Sequence, residues 1–219
     1  MNSLFAIPGY YLVEECSATS SGNLEWYLEQ CMENEKVPEG ESIYSIVNEK
    51  VASVKPEESD VYFLPFLYGS NAHPLGKGAF VGLTTYHEKA HMLRAIYEGV
   101  VFSHKTHIEK LLVSRKPPEA IRMAGGAVNS KEWVQMFADI LGFPIETVDA
   151  KELGALGCGM AAAIAAGVYK DYKEAAEHMV HVSGRVEPNP EMHEIYQRKY
   201  EKYRAVSRAL DTVWEQFEV

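Results

Sequence analysis

The hydrophobic positions of this chain alternate between extended and helical spacing over most of its length. Residues 1–19 favour an extended conformation, and the apolar run 60–67 predicts a buried strand that Pro65 must end or kink. Helical stripes are predicted over 20–33, 41–54, 86–112, 129–141, 153–168, 171–182 and 190–217. Short strands are expected between them at 79–83, 121–124 and 144–148. Strands that alternate with helices in this way indicate the α/β class.

The stretch from Ile121 to Leu141 reads as a strand, a glycine turn and a helix. The apolar run ends in Gly125 and Gly126, whose lack of side chains lets a flat ligand approach the backbone. Asn129 is the expected N-cap of the helix, and Glu132 stands where it would complete a capping box. The free amides of such a helix start can bind an anion or a polar ligand edge. An ordinary tight turn is the alternative interpretation.

Charge and composition narrow the classes of function. The 219 residues, 47% of them hydrophobic, suit one large domain or two small ones. A net charge of −10 argues against a nucleic-acid partner, because such a protein needs a basic face. No signal peptide and no membrane-spanning run is recognisable, so we expect no membrane partner. The cysteines Cys16, Cys31 and Cys158 have no paired spacing, which favours a reducing, cytoplasmic location. The sequence leaves open whether the protein forms a homodimer.

The segment 87–91 matches the H-E-x-x-H pattern of zinc metallopeptidases. On one helical face His87 and His91 could hold zinc while Glu88 activates a water. The extended form of that motif fails, because Arg94 stands where a third histidine is needed. Thr85 and Glu88 would also form a capping box at a helix start. A zinc peptidase is therefore kept only as an alternative.

Two other glycine-bearing segments have competing interpretations. Ser21 and Gly22 form a turn that leads into a helix, which suits either a phosphate or ribose neighbour or a plain N-cap. The helix at 153–168 is built from glycine and alanine, so we expect it to pack very closely against its neighbours. Such a helix could act as a sliding or hinge surface.

Several stretches, taken in order, resemble the FGGY family of carbohydrate kinases. Residues 78–83 and 91–98, separated by seven residues, are similar to a long signature of that family, in which His91 serves a helix start. Residues 123–130 resemble its adenosine motif, and 152–169 resemble the small-residue helix that follows. Residues 20–26 are similar to an earlier nucleotide-facing turn and helix. The resemblance covers nearly the whole chain.

The resemblance implies a ribonuclease H-like, actin-like ATPase fold, with residues 1–219 as a single C-terminal domain truncated at its N-terminal side. Segments 63–71 and 22–26 look closest to pentulose kinases of the xylulose and L-xylulose type. The implied reaction moves the γ-phosphoryl group of ATP to a ketose hydroxyl with Mg²⁺ as cofactor. A non-catalytic sensor or interaction module with the same fold is the rival implication.

The resemblance also implies which residues contact ATP or ADP. These nucleotide-binding residues would be Gly125, Gly126, Asn129 and Ser130 on one side and Ser21, Gly22 and Glu25 on the other. In the family the catalytic aspartate and the sugar contacts lie upstream of the matched stretches, and no Gly-Asp-Gln segment occurs here. We therefore expect the sugar to bind an N-terminal domain and assign no catalytic residue to this chain.

Overall fold

A computed structural model describes residues 2–17, 20–113, 115–149 and 152–217 of the chain. Its helices are α1 (Gly22–Cys31), α2 (Ile43–Ala52), α3 (Lys89–Leu112), α4 (Lys131–Leu141), α5 (Leu153–Ala165), α6 (Tyr172–Met179) and α7 (Pro190–Trp214). Its strands are β1 (Asn2–Leu4), β2 (Tyr11–Val13), β3 (Tyr62–Leu64), β4 (Ala79–Val81), β5 (Ile121–Met123), β6 (Ile145–Val148) and β7 (Val182–Val186). Short 3-10 turns cover Pro56–Glu58 and Gly126–Asn129.

Helix α3 forms the centre of the core. It packs against β3 and against α1, α2, α4 and α7. Its side chains Leu93, Ile96 and Val101 are completely buried. The helix crosses β3 at Gly99, where an added Cβ would collide with the backbone carbonyl of Phe63. Only glycine therefore permits this close approach of helix and strand.

Three charged side chains are buried together inside this core. The Glu98 carboxylate accepts from Arg94 Nε at 2.8 Å and from Lys199 Nζ at 2.6 Å. Arg94 donates further to two carbonyls at the C-terminal end of α2, and Lys199 donates to two carbonyls in the turn that follows. The cluster thus joins α3 to α7 and to the chain between α2 and β3.

The main sheet has the order β5-β6-β7. Strand β5 runs parallel to β6, with Ile121 opposite Ile145, and α4 makes the crossover between them. Strand β7 runs antiparallel to β6 and places Val186 opposite Ile145. Two further ladders, β1-β2 and β3-β4, are antiparallel pairs. β3 ends at Leu64, directly before Pro65, as the sequence predicts.

The N-cap of α4 lies one residue later than predicted. Asn129 lies inside the 3-10 turn, and Ser130 is the N-cap, whose hydroxyl oxygen accepts from the backbone N–H of Trp133 at 3.1 Å. The predicted capping box of Asn129 and Glu132 is therefore wrong. At the other end Gly142 adopts φ +74° and stops the helix. Its left-handed conformation is the reason that glycine suits this position.

Two further predictions fail in the C-terminal third. The close packing expected of the glycine- and alanine-rich helix is not found among the described residues, because most of α5 is exposed there and a Cβ on Gly154 or Gly157 would meet nothing within 4 Å. The predicted helix over 171–182 ends at Met179, and β7 follows it unpredicted. Val182 and Val186 favour a strand whereas Gly184 between them does not, and pairing with β6 decides the conformation of the segment.

No helix in the described part of the chain is both long and apolar enough to cross a bilayer.

Candidate functional site

A cleft of about 500 Å³ opens where the starts of α1, α2 and α4 meet. Its wall includes Ser21, Ser42 and Ser130, the N-cap residues of these three helices. Helix starts carry partial positive charge on their free amides. The cleft therefore combines the size of a small-molecule site with a wall that favours acceptor atoms or negative charge.

The floor of the cleft is flat and apolar. The rings of Tyr97 and Trp133 stack with their centroids 4.1 Å apart and their planes at 19°. Trp133 Nε1 donates to the backbone carbonyl of Tyr97 at 3.2 Å, which orients the indole ring against α3. Both side chains and Leu24 beside them are almost fully buried. Burial raises the pKa of Tyr97 to about 12, so its phenol remains a protonated donor at neutral pH.

Asn48 links three helices behind this floor. Its Oδ1 accepts from the Tyr97 hydroxyl at 2.9 Å and from Ser130 Oγ at 2.8 Å. Ser130 Oγ in turn accepts from the Trp133 backbone N–H, so one chain of hydrogen bonds connects α2, α3 and α4. The wall is thereby held in place before any ligand binds.

The rim of the cleft carries a carboxylate and a phenol on facing helices. The Tyr44 hydroxyl, on α2, donates to the Glu25 carboxylate of α1, at 2.9 and 3.0 Å from its two oxygens. Both side chains are exposed to solvent. Partial burial and the Glu25 hydrogen bond raise the pKa of Tyr44, which keeps its proton on the phenol.

The cleft brings together five of the residues that the sequence suggested for nucleotide binding. Ser21 and Glu25 lie on the α1 side, and Gly126, Asn129 and Ser130 lie on the α4 side. The other two, Gly22 and Gly125, are not among the lining residues. Gly22 is the first residue of α1, and a Cβ on it would lie 3.8 Å from the Tyr68 ring. Gly125 lies in the turn that precedes α4, with φ +93°.

Sequence reasoning missed the α2 wall of the cleft. Ser42, Tyr44, Ser45 and Asn48 form this wall, and Leu24, Tyr97 and Trp133 are the other lining residues that were not proposed. The polar residues at 42, 45 and 48 have the i, i+3 spacing of one helical face, so a polar stripe at the start of a predicted helix was the available signal. That stripe alone could not be told from a solvated face.

The structure does not support the zinc alternative. His87 lies before α3, outside the helix, and its Nδ1 accepts from the Thr84 backbone N–H at 2.9 Å. His91 Nδ1 accepts from the backbone N–H of Glu88, which is the N-cap of α3. The predicted capping box of Thr85 with Glu88 is therefore wrong as well. Across the described residues, no three His, Cys, Asp or Glu side chains are grouped to hold a metal ion.

Comparison with known proteins identifies the family of this chain. The model of the FGGY family of carbohydrate kinases, C-terminal domain, matches residues 3–166, a range that contains every residue lining the cleft. The chain belongs to this family. It is 40% identical over 202 residues to the L-xylulose/3-keto-L-gulonate kinase of Escherichia coli K12, a match that covers 92% of this chain and 39% of that protein.

Two further relatives agree. A probable L-xylulose kinase of Pasteurella multocida is 38% identical, with 94% of this chain and 40% of the relative covered. The crystal structure of a ligand-bound xylulose kinase from Lactobacillus acidophilus superposes with a TM-score of 0.80 at 26% identity, over 90% of this chain and 39% of that one. The α/β, ribonuclease H-like fold of a family C-terminal domain is confirmed. The chain spans about two fifths of the length of the curated relatives it matches.

Proposed function

We propose that this chain is the ATP-binding domain of a pentulose kinase of the xylulose type. The observation that carries the proposal is the cleft, in which Ser21 and Glu25 face Gly126, Asn129 and Ser130 from a distant part of the sequence. The relatives described above are named as kinases of L-xylulose, 3-keto-L-gulonate or xylulose, which supports a ketose as the acceptor of the phosphoryl group. ATP as substrate and three free cysteines fit a cytoplasmic enzyme.

The chemistry of the cleft suits an adenosine moiety. The apolar floor formed by Tyr97, Trp133 and Leu24 offers a surface for a purine, while Gly126 presents bare backbone beside it. A Cβ on Gly126 would meet nothing within 4 Å, so the space beside this glycine is open to a ligand. The helix starts provide donors for the polar atoms of the nucleotide.

The complete reaction needs groups that these residues do not supply. In the reaction a sugar hydroxyl oxygen attacks the γ-phosphorus, the bond to ADP breaks and the hydroxyl proton passes to a base. Among the described residues that line the cleft, Glu25 is the only one with a carboxylate, and it already accepts from Tyr44. We therefore assign both the base and the sugar contacts to parts of the relatives that this chain does not match.

Among the described residues, no three His, Cys, Asp or Glu side chains are grouped to hold a cation. The phosphates of the nucleotide are the natural ligands, because Mg²⁺ is commonly bound by substrate phosphates and a few waters. In this account Mg²⁺ would enter with ATP and neutralise phosphate charge.

Calorimetric titration of the 219-residue chain with ADP tests the proposal. The wild type should bind ADP, and Gly126→Leu should weaken binding by at least about tenfold, because leucine would project into open space at the ligand surface. Gly154→Leu is the matched control, since its Cβ also meets nothing within 4 Å but lies outside the cleft. Absence of ADP binding by the wild type, or equal binding by Gly126→Leu, would overturn the proposal.

A second measurement separates a kinase from a non-catalytic module. The chain alone should transfer little phosphate from ATP to L-xylulose. Adding the segment of a related L-xylulose kinase that precedes the matched region should restore turnover. If ADP binds but no such segment restores activity, the sensor or interaction module becomes the better account.

A further inference from the structure

A second pocket, of about 450 Å³, lies between the C-terminal parts of α3 and α7 and the loop that follows β3. None of the described residues that line it also lines the cleft at the starts of α1, α2 and α4. Its volume falls within the range of small-molecule sites. The lining includes Glu109 and Lys110 of α3 and Tyr203, Arg204, Arg208 and Asp211 of α7.

Tyr203 brings a buried hydroxyl to this second pocket. Its side chain is only 2% exposed although it lines the pocket. No described residue forms a hydrogen bond with its hydroxyl, whereas the hydroxyl of Tyr200, one turn earlier, donates to Glu109 at 2.9 Å. Because a buried polar group without a partner costs free energy, the Tyr203 hydroxyl marks a position where a bound molecule can supply that partner.

Three cationic side chains also line the second pocket. Arg204 lies 3.9 Å from the carboxylate of Glu109, and Lys110 lies 3.6 Å from that of Glu15. Arg208 is exposed, and no described carboxylate lies within ion-pair distance of its guanidinium group. A guanidinium group can hold a phosphate through two parallel hydrogen bonds. In a chain with a net charge of −10, Arg208 is therefore a local attachment point for an anionic group.

The carboxylates of the second pocket restrict the rest of the ligand. Glu109 accepts from Tyr200 and has further acceptor sites left, and Asp211 forms no hydrogen bond with another described residue. These acceptors suit a molecule that donates hydrogen bonds, as hydroxyl groups do. Phe66 and the Tyr200 ring add apolar surface for carbon atoms. The complementary ligand thus has one anionic group and several hydroxyls on a short carbon chain, which describes a phosphorylated sugar.

We propose that the second pocket binds a phosphorylated sugar of pentose size, with its phosphate on Arg208 and its hydroxyls on Tyr203, Glu109 and Asp211. The pocket and its chemistry are independent of the nucleotide cleft. The choice of a pentulose phosphate as the ligand rests on the proposed function, since this is the class of product that the reaction would form. The chain would then carry a binding site for the product class that is separate from the site for ATP.

Calorimetric titration of the 219-residue chain with xylulose 5-phosphate tests the proposal. The wild type should bind this probe, and Arg208→Gln should weaken binding at least about tenfold, because the charge that pairs with the phosphate is lost. Arg198→Gln is the matched control, since Arg198 is an exposed arginine of α7 outside the pocket, and it should leave the affinity unchanged. No binding by the wild type, or equal binding by Arg208→Gln, would overturn the inference.

Tyr203→Phe separates binding from folding. It should weaken binding of xylulose 5-phosphate about fivefold, the effect of one neutral hydrogen bond. The free energy of unfolding without ligand should not fall, because the hydroxyl has no protein partner to lose. A loss of stability with unchanged affinity would assign the hydroxyl to the core and contradict its role in the pocket.

Two further probes and one variant complete the test. Inorganic phosphate and xylulose should each bind at least about tenfold more weakly than the sugar phosphate, and equal binding of either would overturn the inference. Gly126→Leu should leave the affinity for xylulose 5-phosphate unchanged, because Gly126 lines the nucleotide cleft. If this variant abolishes binding, the probe occupies that cleft and the inference falls. If ADP binds and the sugar phosphate does not, the inference alone fails. If the sugar phosphate binds through Arg208 and ADP does not, the second pocket stands and the proposed function fails.

Discussion

Ser130 is the residue at which the walls of the cleft are joined. Its oxygen accepts from the Trp133 backbone N–H, and its proton goes to Asn48. The sequence places two good capping residues side by side, Asn129 and Ser130, and their preferences alone do not separate them. The 3-10 turn includes Asn129, which leaves Ser130 as the N-cap of α4. The helix could thus be predicted from sequence, whereas its first residue depends on the preceding turn.

Ser130→Ala should lower the free energy of unfolding by about 1–2 kcal/mol, because the helix loses its cap and Asn48 loses a donor. Asn129→Ala should cost less than about 0.5 kcal/mol, as expected for a residue without a capping role. Urea unfolding of the two variants measures the difference. A larger loss in Asn129→Ala would contradict the assignment of the cap.

At the scale of elements, α3 shows which structural features the sequence predicts and which it does not. The helix predicted over 86–112 is confirmed as α3, and Ile96 and Val100 of its predicted apolar face are buried. The burial of Arg94 and Glu98 could not be predicted, because their stabilising partners come from the end of α2 and from Lys199 on α7. The α2 wall of the cleft escaped prediction for a related reason. Its polar residues can be recognised as part of a site only when α1 and α4 are seen to lie opposite them.

Glu98→Gln should destabilise the chain by about 3 kcal/mol or more, since it leaves Arg94 and Lys199 buried without their negative partner. Asp60→Asn is the control, because it removes one partner of the exposed Asp60–Lys202 pair. Surface pairs of this kind contribute at most about 1 kcal/mol. Chemical denaturation of both variants would contradict the account if the two losses were equal.

For the molecule as a whole, α5 is the main departure from expectation. Its composition indicates close packing, yet Leu153, Gly154 and Gly157 are exposed and the helix contacts chiefly α6. A composition rich in glycine and alanine indicates that a helix can pack closely, but few of the described residues lie near α5. The family and the α/β class were predictable because several short motifs occur in the right order, so each motif supports the others.

Gly157→Leu separates two roles of α5. In the chain alone the free energy of unfolding should not fall, since Gly157 is exposed and a Cβ added there meets nothing within 4 Å. In a mixture restored to activity with the preceding segment of a related kinase, turnover should fall at least about tenfold if α5 packs against that segment or acts as the sliding or hinge surface on which the two parts close over ATP. Unchanged turnover would remove α5 from both roles. Unchanged small-angle scattering of the wild-type mixture on adding ATP would by itself dismiss α5 as a sliding or hinge surface.

The central claim is that the cleft between α1, α2 and α4 binds the adenosine part of ATP. A titration of the ¹⁵N-labelled chain with ADP, followed by amide NMR shifts, tests it directly. The account predicts that the largest shifts fall on amides of residues 21–25, 42–48 and 126–133, while those of the histidine segment 87–91 stay in place. Saturable shifts concentrated elsewhere, with the three cleft segments unmoved, would contradict it.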